Sequence, residues 1–305
     1  MRILSIAAGS FLLTVAAFAG LVDDTRAAMA AGNFPLAERI VEQQRSSSGK
    51  TPEFAQAVSW LARGALALKN YERADSYASE ARQLAVSALG PRRLDSDPVL
   101  QGAIGNAIDV HAQVLNARGD AAAAVAYLRS EFATYGKTAI AERIQKTVNV
   151  ISLEGQPAPA LGAREWIGAK PPTLASMKGR PVLLFFWAHW CPDCKAEAPV
   201  IAKIMQTYGS KGLALMAPTR YYGYTAANEN ATPQVEKPYI EKIQKQYYAA
   251  LGNPPTPVSN ADALTWGMAS TPTLALVDRA GIVRWYHPGN ATEQEIAARV
   301  EAALK

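Results

Sequence analysis

From about Leu21 to Val150 apolar residues recur at helical spacing, alanine is frequent and β-branched residues are few, so this stretch is expected to be all helix. Three segments in it share a pattern: Gly32-Asn33-Phe34 with Ala37, Lys69-Asn70-Tyr71 with Ala74, and Gly119-Asp120-Ala121 with Ala124. Each sets a turn-forming pair before an aromatic or small residue and an alanine three places on, where antiparallel helices must approach closely. The periodicity changes near Val148. Leu153-Glu154-Gly155-Gln156-Pro157-Ala158-Pro159 carries two prolines and a glycine that end helix, and beyond it strands alternate with helices. Pro181 to Trp187 is an unbroken apolar run of strand length, as a central strand buried on both faces requires. It leads through Ala188-His189-Trp190 into Cys191-Pro192-Asp193-Cys194, after which Ala198, Ile201, Ile204 and Met205 mark a helical face interrupted by Pro199. A third strand is expected over Leu213 to Pro218. An excursion follows from Thr219 to Asn260, rich in tyrosine and placed to lie over the active-site face, with a helix over Pro238 to Leu251. Tyr239, Tyr247 and Tyr248 share helical spacing there and are expected in the core.

Composition narrows the function. The net charge of +5 comes from 31 basic and 26 acidic residues scattered along the chain, which argues against nucleic acid as a partner. Two cysteines, Cys191 and Cys194, exclude a multi-disulfide scaffold and a four-cysteine zinc site. Met1-Arg2 precedes an apolar run ending in Ala17-Phe18-Ala19, the form of a signal peptide cleaved before Gly20; an uncleaved membrane anchor is the rival reading. The division expected is 1–19 leader, 20–150 helical domain and 151–305 α/β domain, in an exported, periplasmic chain.

The cysteines fall where strand turns into helix. Backbone N–H groups and the positive end of the helix dipole there favour a thiolate at Cys191, and only the thiolate attacks a disulfide. Cys194, one turn on, can reach the Cys191 sulfur and resolve a mixed disulfide within the same molecule. Metal binding would need two more ligands from carboxylates or only three histidines, and no metal or other cofactor is expected.

Phe186-Trp187-Ala188-x-Trp190-Cys191-x-x-Cys194, with Glu197 and Pro199, resembles the periplasmic thioredoxin-like family of the TlpA and ResA kind. Gly155-x-Pro157-Ala158-Pro159, Lys178-Gly179-Arg180, Trp266-Gly267-Met268 and Thr271-Pro272-Thr273 agree with it. The resemblance spans residues 155 to 305 and implies a mixed sheet flanked by helices. It also implies a cis bond before Pro272, with Thr271, Pro272 and Trp190 beside the bound substrate, and a tuning role for Glu197. Protein disulfides are the implied substrates, and a membrane thiol donor the implied source of electrons. Phe185 stands where thioredoxin has a buried aspartate, and Asp193 adds negative charge beside the thiolate. His189, if protonated, would favour it. These opposed influences lead us to expect a mildly depressed Cys191 pKa and a reducing couple. A peroxidase would need Thr or Ser at 188 and Pro at 184, where Ala188 and Leu184 stand.

The helical half, with Leu61, Ala62, Tyr77, Ala78 and Ala81 in its middle hairpin, resembles a short, irregular tetratricopeptide array. Such arrays offer a concave surface to a protein or peptide; the alternative is that these helices only pack on the second domain or pair two chains. His111 reads as packing or surface rather than ligand. The reading of a different class is a binding scaffold with a catalytically passive thiol pair.

Overall fold

The computed structural model describes residues 20–48, 51–226 and 229–305; the leader expected over residues 1–19 lies outside them. Seven helices come first: α1 (Leu21–Ala30), α2 (Phe34–Ser48), α3 (Pro52–Ala67), α4 (Tyr71–Leu89), α5 (Pro98–Ala117), α6 (Ala121–Tyr135) and α7 (Ala141–Ser152). The three turns singled out in the sequence are one structure used three times. Gly32, Lys69 and Gly119 take positive φ of 70°, 57° and 92°. The N–H of the next residue bonds back to the carbonyl five before it: Asn33 to Ala28, Asn70 to Ala65 and Asp120 to Leu115. This is the Schellman closure of one helix. The Asn33, Asn70 and Asp120 side chains then accept from the N–H groups of Leu36, Arg73 and Ala123, capping the helix that follows. Ala37, Ala74 and Ala124 are fully buried where the hairpins close.

The second half runs β1 (Glu165–Ile167), β2 (Val182–Phe186), α8 (Pro192–Tyr208), β3 (Ala214–Met216), α9 (Pro233–Tyr247), β4 (Thr256–Val258), α10 (Asn260–Thr265), β5 (Thr273–Val277), β6 (Val283–Pro288) and α11 (Glu293–Leu304). The main sheet has the order β3-β2-β5-β6. β3 lies parallel to β2, and the other pairs are antiparallel. It is thus the mixed sheet of a thioredoxin-like domain. Every residue of β2 is buried. Leu183 and Phe185 face a core with Ile201 of α8, Ile240 of α9 and Ile296 of α11; Val182, Leu184 and Phe186 face a second core with Leu153 and Trp266. Helix α7 packs on α5 and α6 and also on α10 and β6, joining the two halves.

Helix α9 begins at Pro233, five residues before the expected start. Thr232 is its N-cap and Pro233 sits at the first position, where a missing N–H costs nothing. Pro238 lies inside the helix and forfeits one internal bond. Of its tyrosines, Tyr248 is buried and Tyr239 packs against the core, but Tyr247 is exposed under the Lys195 ammonium, 4.4 Å from its ring centre. Helical spacing thus misplaced Tyr247. His111 bonds to Asp75 at 2.5 Å and packs edge-on to Tyr127.

Candidate active site

Cys191 is the N-cap of α8, and its sulfur accepts the Cys194 N–H at 3.0 Å. Both cysteines are free thiols, and both are buried. As a thiol, Cys191 donates to the Thr271 carbonyl at 3.3 Å, and the Thr271–Pro272 bond is cis. The fold thus brings together residues 80 positions apart. The Cys191 pKa is pulled down to about 6, first by a hydrogen bond from the Cys194 thiol, against desolvation, with further help from the Thr271 side chain and the Cys194 N–H. Asp193 opposes the shift, but weakly. The expected mild depression is therefore an underestimate, because sequence shows the helix end but not donors converging on one sulfur. Burial pushes Cys194 far the other way, and its bond to Cys191 adds to the effect. One sulfur is a ready nucleophile and the other holds its proton.

Trp190 is 46% exposed beside the nucleophile, edge-on to Tyr222 with ring centres 5.6 Å apart. His189 is buried among the rings of Tyr222, Tyr224 and Tyr239, and its Nε2 lies 3.2 Å from Glu236 Oε1. Burial lowers its pKa despite the carboxylate. Burial thus works against a charged ring beside Cys191, and Glu236 works for it. Glu197 is 3% exposed; it accepts the Ala291 N–H at 3.2 Å, and its pKa is raised by burial. It ties α8 to the chain entering α11 and makes no hydrogen bond to either sulfur among the described residues. Among those residues no cluster of three or more His, Cys, Asp or Glu is placed to hold a metal ion.

Residues 155–286 match the family model described as AhpC/TSA family. The thiol:disulfide interchange protein DsbE of Xylella fastidiosa is 31% identical over 39% of this chain and 53% of its own length. The chain thus spans about half the length of that relative. The thioredoxin-like protein YneN of Bacillus subtilis is 30% identical over 48% of this chain and 79% of its own. The thiol:disulfide interchange protein HelX of Rhodobacter capsulatus is 30% identical over 50% and 78% respectively. The chain belongs to the TlpA-like, thioredoxin-fold thiol-disulfide oxidoreductase family.

One member of the site in this TlpA-like chain escaped sequence reading. Glu236, fully buried, accepts the N–H groups of Tyr222 at 2.6 Å and Gly223 at 2.8 Å as well as facing His189. It fastens the excursion against the cysteine turn. In Pro233-Gln234-Val235-Glu236-Lys237-Pro238 it looks like a solvated residue opening a helix, and no local signal marks it.

Proposed function

We propose that this chain is an exported thiol-disulfide oxidoreductase that reduces disulfides of other exported proteins. The carrying observation is the asymmetry of the pair: a thiolate-prone Cys191 at a helix start beside the Thr271–Pro272 backbone, and a proton-retaining Cys194 behind it. The Cys191 thiolate attacks one sulfur of the substrate disulfide; a mixed disulfide forms and the other substrate sulfur leaves as a thiolate, taking up a proton. Cys194 then loses its proton and attacks Cys191. The internal disulfide closes and the second substrate thiol departs with that proton. The substrate gains two electrons, the protein dithiol loses two, and a membrane thiol donor restores it. Trp190, Thr271 and Pro272 line the place where the substrate lies, and Glu197 positions α8. Residues 151–305 carry this chemistry, residues 20–150 form a tetratricopeptide-like array, and the leader is removed before Gly20. The names of the DsbE and HelX relatives, thiol:disulfide interchange proteins, support the activity. A pKa near 6 lies closer to the thioredoxin pair, about 7, than to a strong periplasmic oxidant, about 3.5, which favours the reducing direction.

Dithiol-driven reduction of insulin tests the reading. Wild type should be active, Cys191→Ser inactive, and Cys194→Ser should accumulate mixed disulfides with its partners. An inactive wild type would leave a scaffold with a passive pair, and trapping by Cys191→Ser instead would reverse the two roles.

A further inference from the structure

Beside the cysteine turn lies a cleft of about 520 Å³ between the two halves of the molecule. Trp190, Tyr222, Ser270 and Thr271 form one wall; Arg63 of α3 and Arg143 and Lys146 of α7 are on the other. A chain segment that rests on Trp190 and Thr271 to present a disulfide to Cys191 must also lie against the helical wall. That wall is cationic. Arg220 pairs with Glu142 across the cleft at 2.6 Å, and Arg143 pairs with Asp109 behind it at 2.5 Å. Arg63 and Lys146 form no ion pair among the described residues. Arg63 donates to the Asn106 amide oxygen at 3.3 Å and lies over the Trp60 ring, 5.1 Å from its centre. Both cations are disfavoured first by burial; Arg143 repels each of them and the Asp109 carboxylate attracts each. The cleft lining thus carries four cations, Arg63, Arg143, Lys146 and Arg220, against one carboxylate, Glu142, with Asp109 behind the helical wall, so positive charge is in excess and a carboxylate lying between the walls is favoured.

The helical wall is fixed relative to the active-site loop. Gly267 takes φ +64°, and a Cβ there would sit 2.5 Å from the Lys146 Cα, so only glycine lets α7 approach this closely. The Asn149 side chain donates to the Thr265 carbonyl at 3.2 Å, one turn further along α7. Past Arg63 a second groove of about 520 Å³ continues along α3, α5 and α7, with Leu66, Val110 and Val150 in its lining.

We propose that the cleft is a specificity site built by the helical half, and that the protein's disulfide partners carry acidic residues beside the reactive disulfide, recognised by Arg63 and Lys146. The inference rests on the oxidoreductase reading above. Its test uses the reduced full-length chain and two disulfide peptides alike except for flanking residues, Asp and Glu in one, Lys in the other. At 10 mM salt kcat/KM should favour the acidic peptide by about tenfold, and the preference should collapse at 1 M, where the screening length falls from about 30 to about 3 Å. Arg63→Glu with Lys146→Glu should invert the ratio; because it compares two peptides on one sample, lost active protein cancels. Equal wild-type rates, or a preference that survives 1 M salt, would overturn the specificity site while leaving the activity intact. If neither peptide is reduced, the oxidoreductase reading itself falls.

Discussion

The helical half and the α/β half are held by different means. In the first, the closest contacts are made by alanines such as Ala37, Ala74, Ala78 and Ala124, and ion pairs such as Arg73–Glu38 and Arg45–Glu80 reach solvent. In the second, Phe185, Phe186, Trp187 and Trp266 fill the core, and Cys194, Glu197, His189 and Glu236 are buried within or beside it. Surface pairs contribute little, typically about 0 to 1 kcal/mol, whereas a buried polar group that loses its partner costs about 1 to 3. Reactivity therefore collects where burial distorts ionisation, and the helical half can vary its surface at small cost. Asp109, buried between Arg143 and Thr147, is an exception in the helical half, and it sits behind the cleft where the halves meet.

The strongest way to break this contrast is to truncate one carboxylate in each half. Glu236→Ala orphans the Tyr222 and Gly223 N–H groups and the His189 ring together, so a loss on the order of 3 kcal/mol or more is expected. Glu38→Ala, which removes the partner of Arg73 and Tyr77, should cost less than about 1. Urea unfolding midpoints measure both. Similar losses would mean that the excursion is not fastened through Glu236.

What could be read in advance follows the same division. Features closed within a few residues were legible: the three turns, β2 as a buried run, and the cysteines at a helix start. A six-residue window contains the whole cause of each. Thr271 and Pro272 were found only through resemblance, since nothing local ties them to a sulfur 80 residues away. Glu236 and the Arg63–Lys146 wall were not found. Their partners lie on other elements, and a charged residue on an amphipathic helix looks solvated until a neighbour covers it. Glu197 shows the limit most clearly: the resemblance implied a tuning role for it, but nothing in its neighbourhood announces the bond it makes to Ala291, 94 residues on.

A smaller effect sharpens the contrast at the nucleophile. With Cys191 near pH 6, its reaction with a small disulfide should rise through pH 6 and level off above about 7, because the thiolate is the attacking form. The sign for stability follows from the same shift. The folded Cys191 pKa lies below that of the unfolded thiol, about 8.5, so this thiol contributes stability that is fully present above that value and is lost as pH falls through 6, whereas Cys194, whose pKa is raised, contributes stability that is present below about 8.5 and is lost at higher pH. Asp193→His exchanges an opposing charge for a favourable one and should lower the pKa further. Asp193 is a minor contributor, so the change should stay within about one unit, equivalent to about 30 mV toward the oxidising side. Thiolate absorbance and glutathione equilibration measure the two shifts; an unmoved pKa would mean that Asp193 is screened from the sulfur.

The smallest expected effect tests the helical half on its own terms. Of the three matching turns only the middle one places a side chain at the left-handed position, Lys69 at φ 57°. That conformation costs a residue with a Cβ about 1 to 2 kcal/mol, whereas glycine enters it freely at an entropic cost of about 0.5 to 1 when ordered. Lys69 is exposed and forms no ion pair among the described residues. Lys69→Gly should therefore stabilise the protein, by about 0.5 to 1 kcal/mol, and raise the melting temperature by about 1 to 3 °C. Gly32→Ala, at φ 70° with nothing within 4 Å of the added Cβ, should lower stability by a similar amount through backbone conformation alone. Calorimetry on the pair would read the two signs. If Lys69→Gly destabilised the chain, the middle hairpin would owe its closure to the lysine side chain rather than to the turn it shares with the other two.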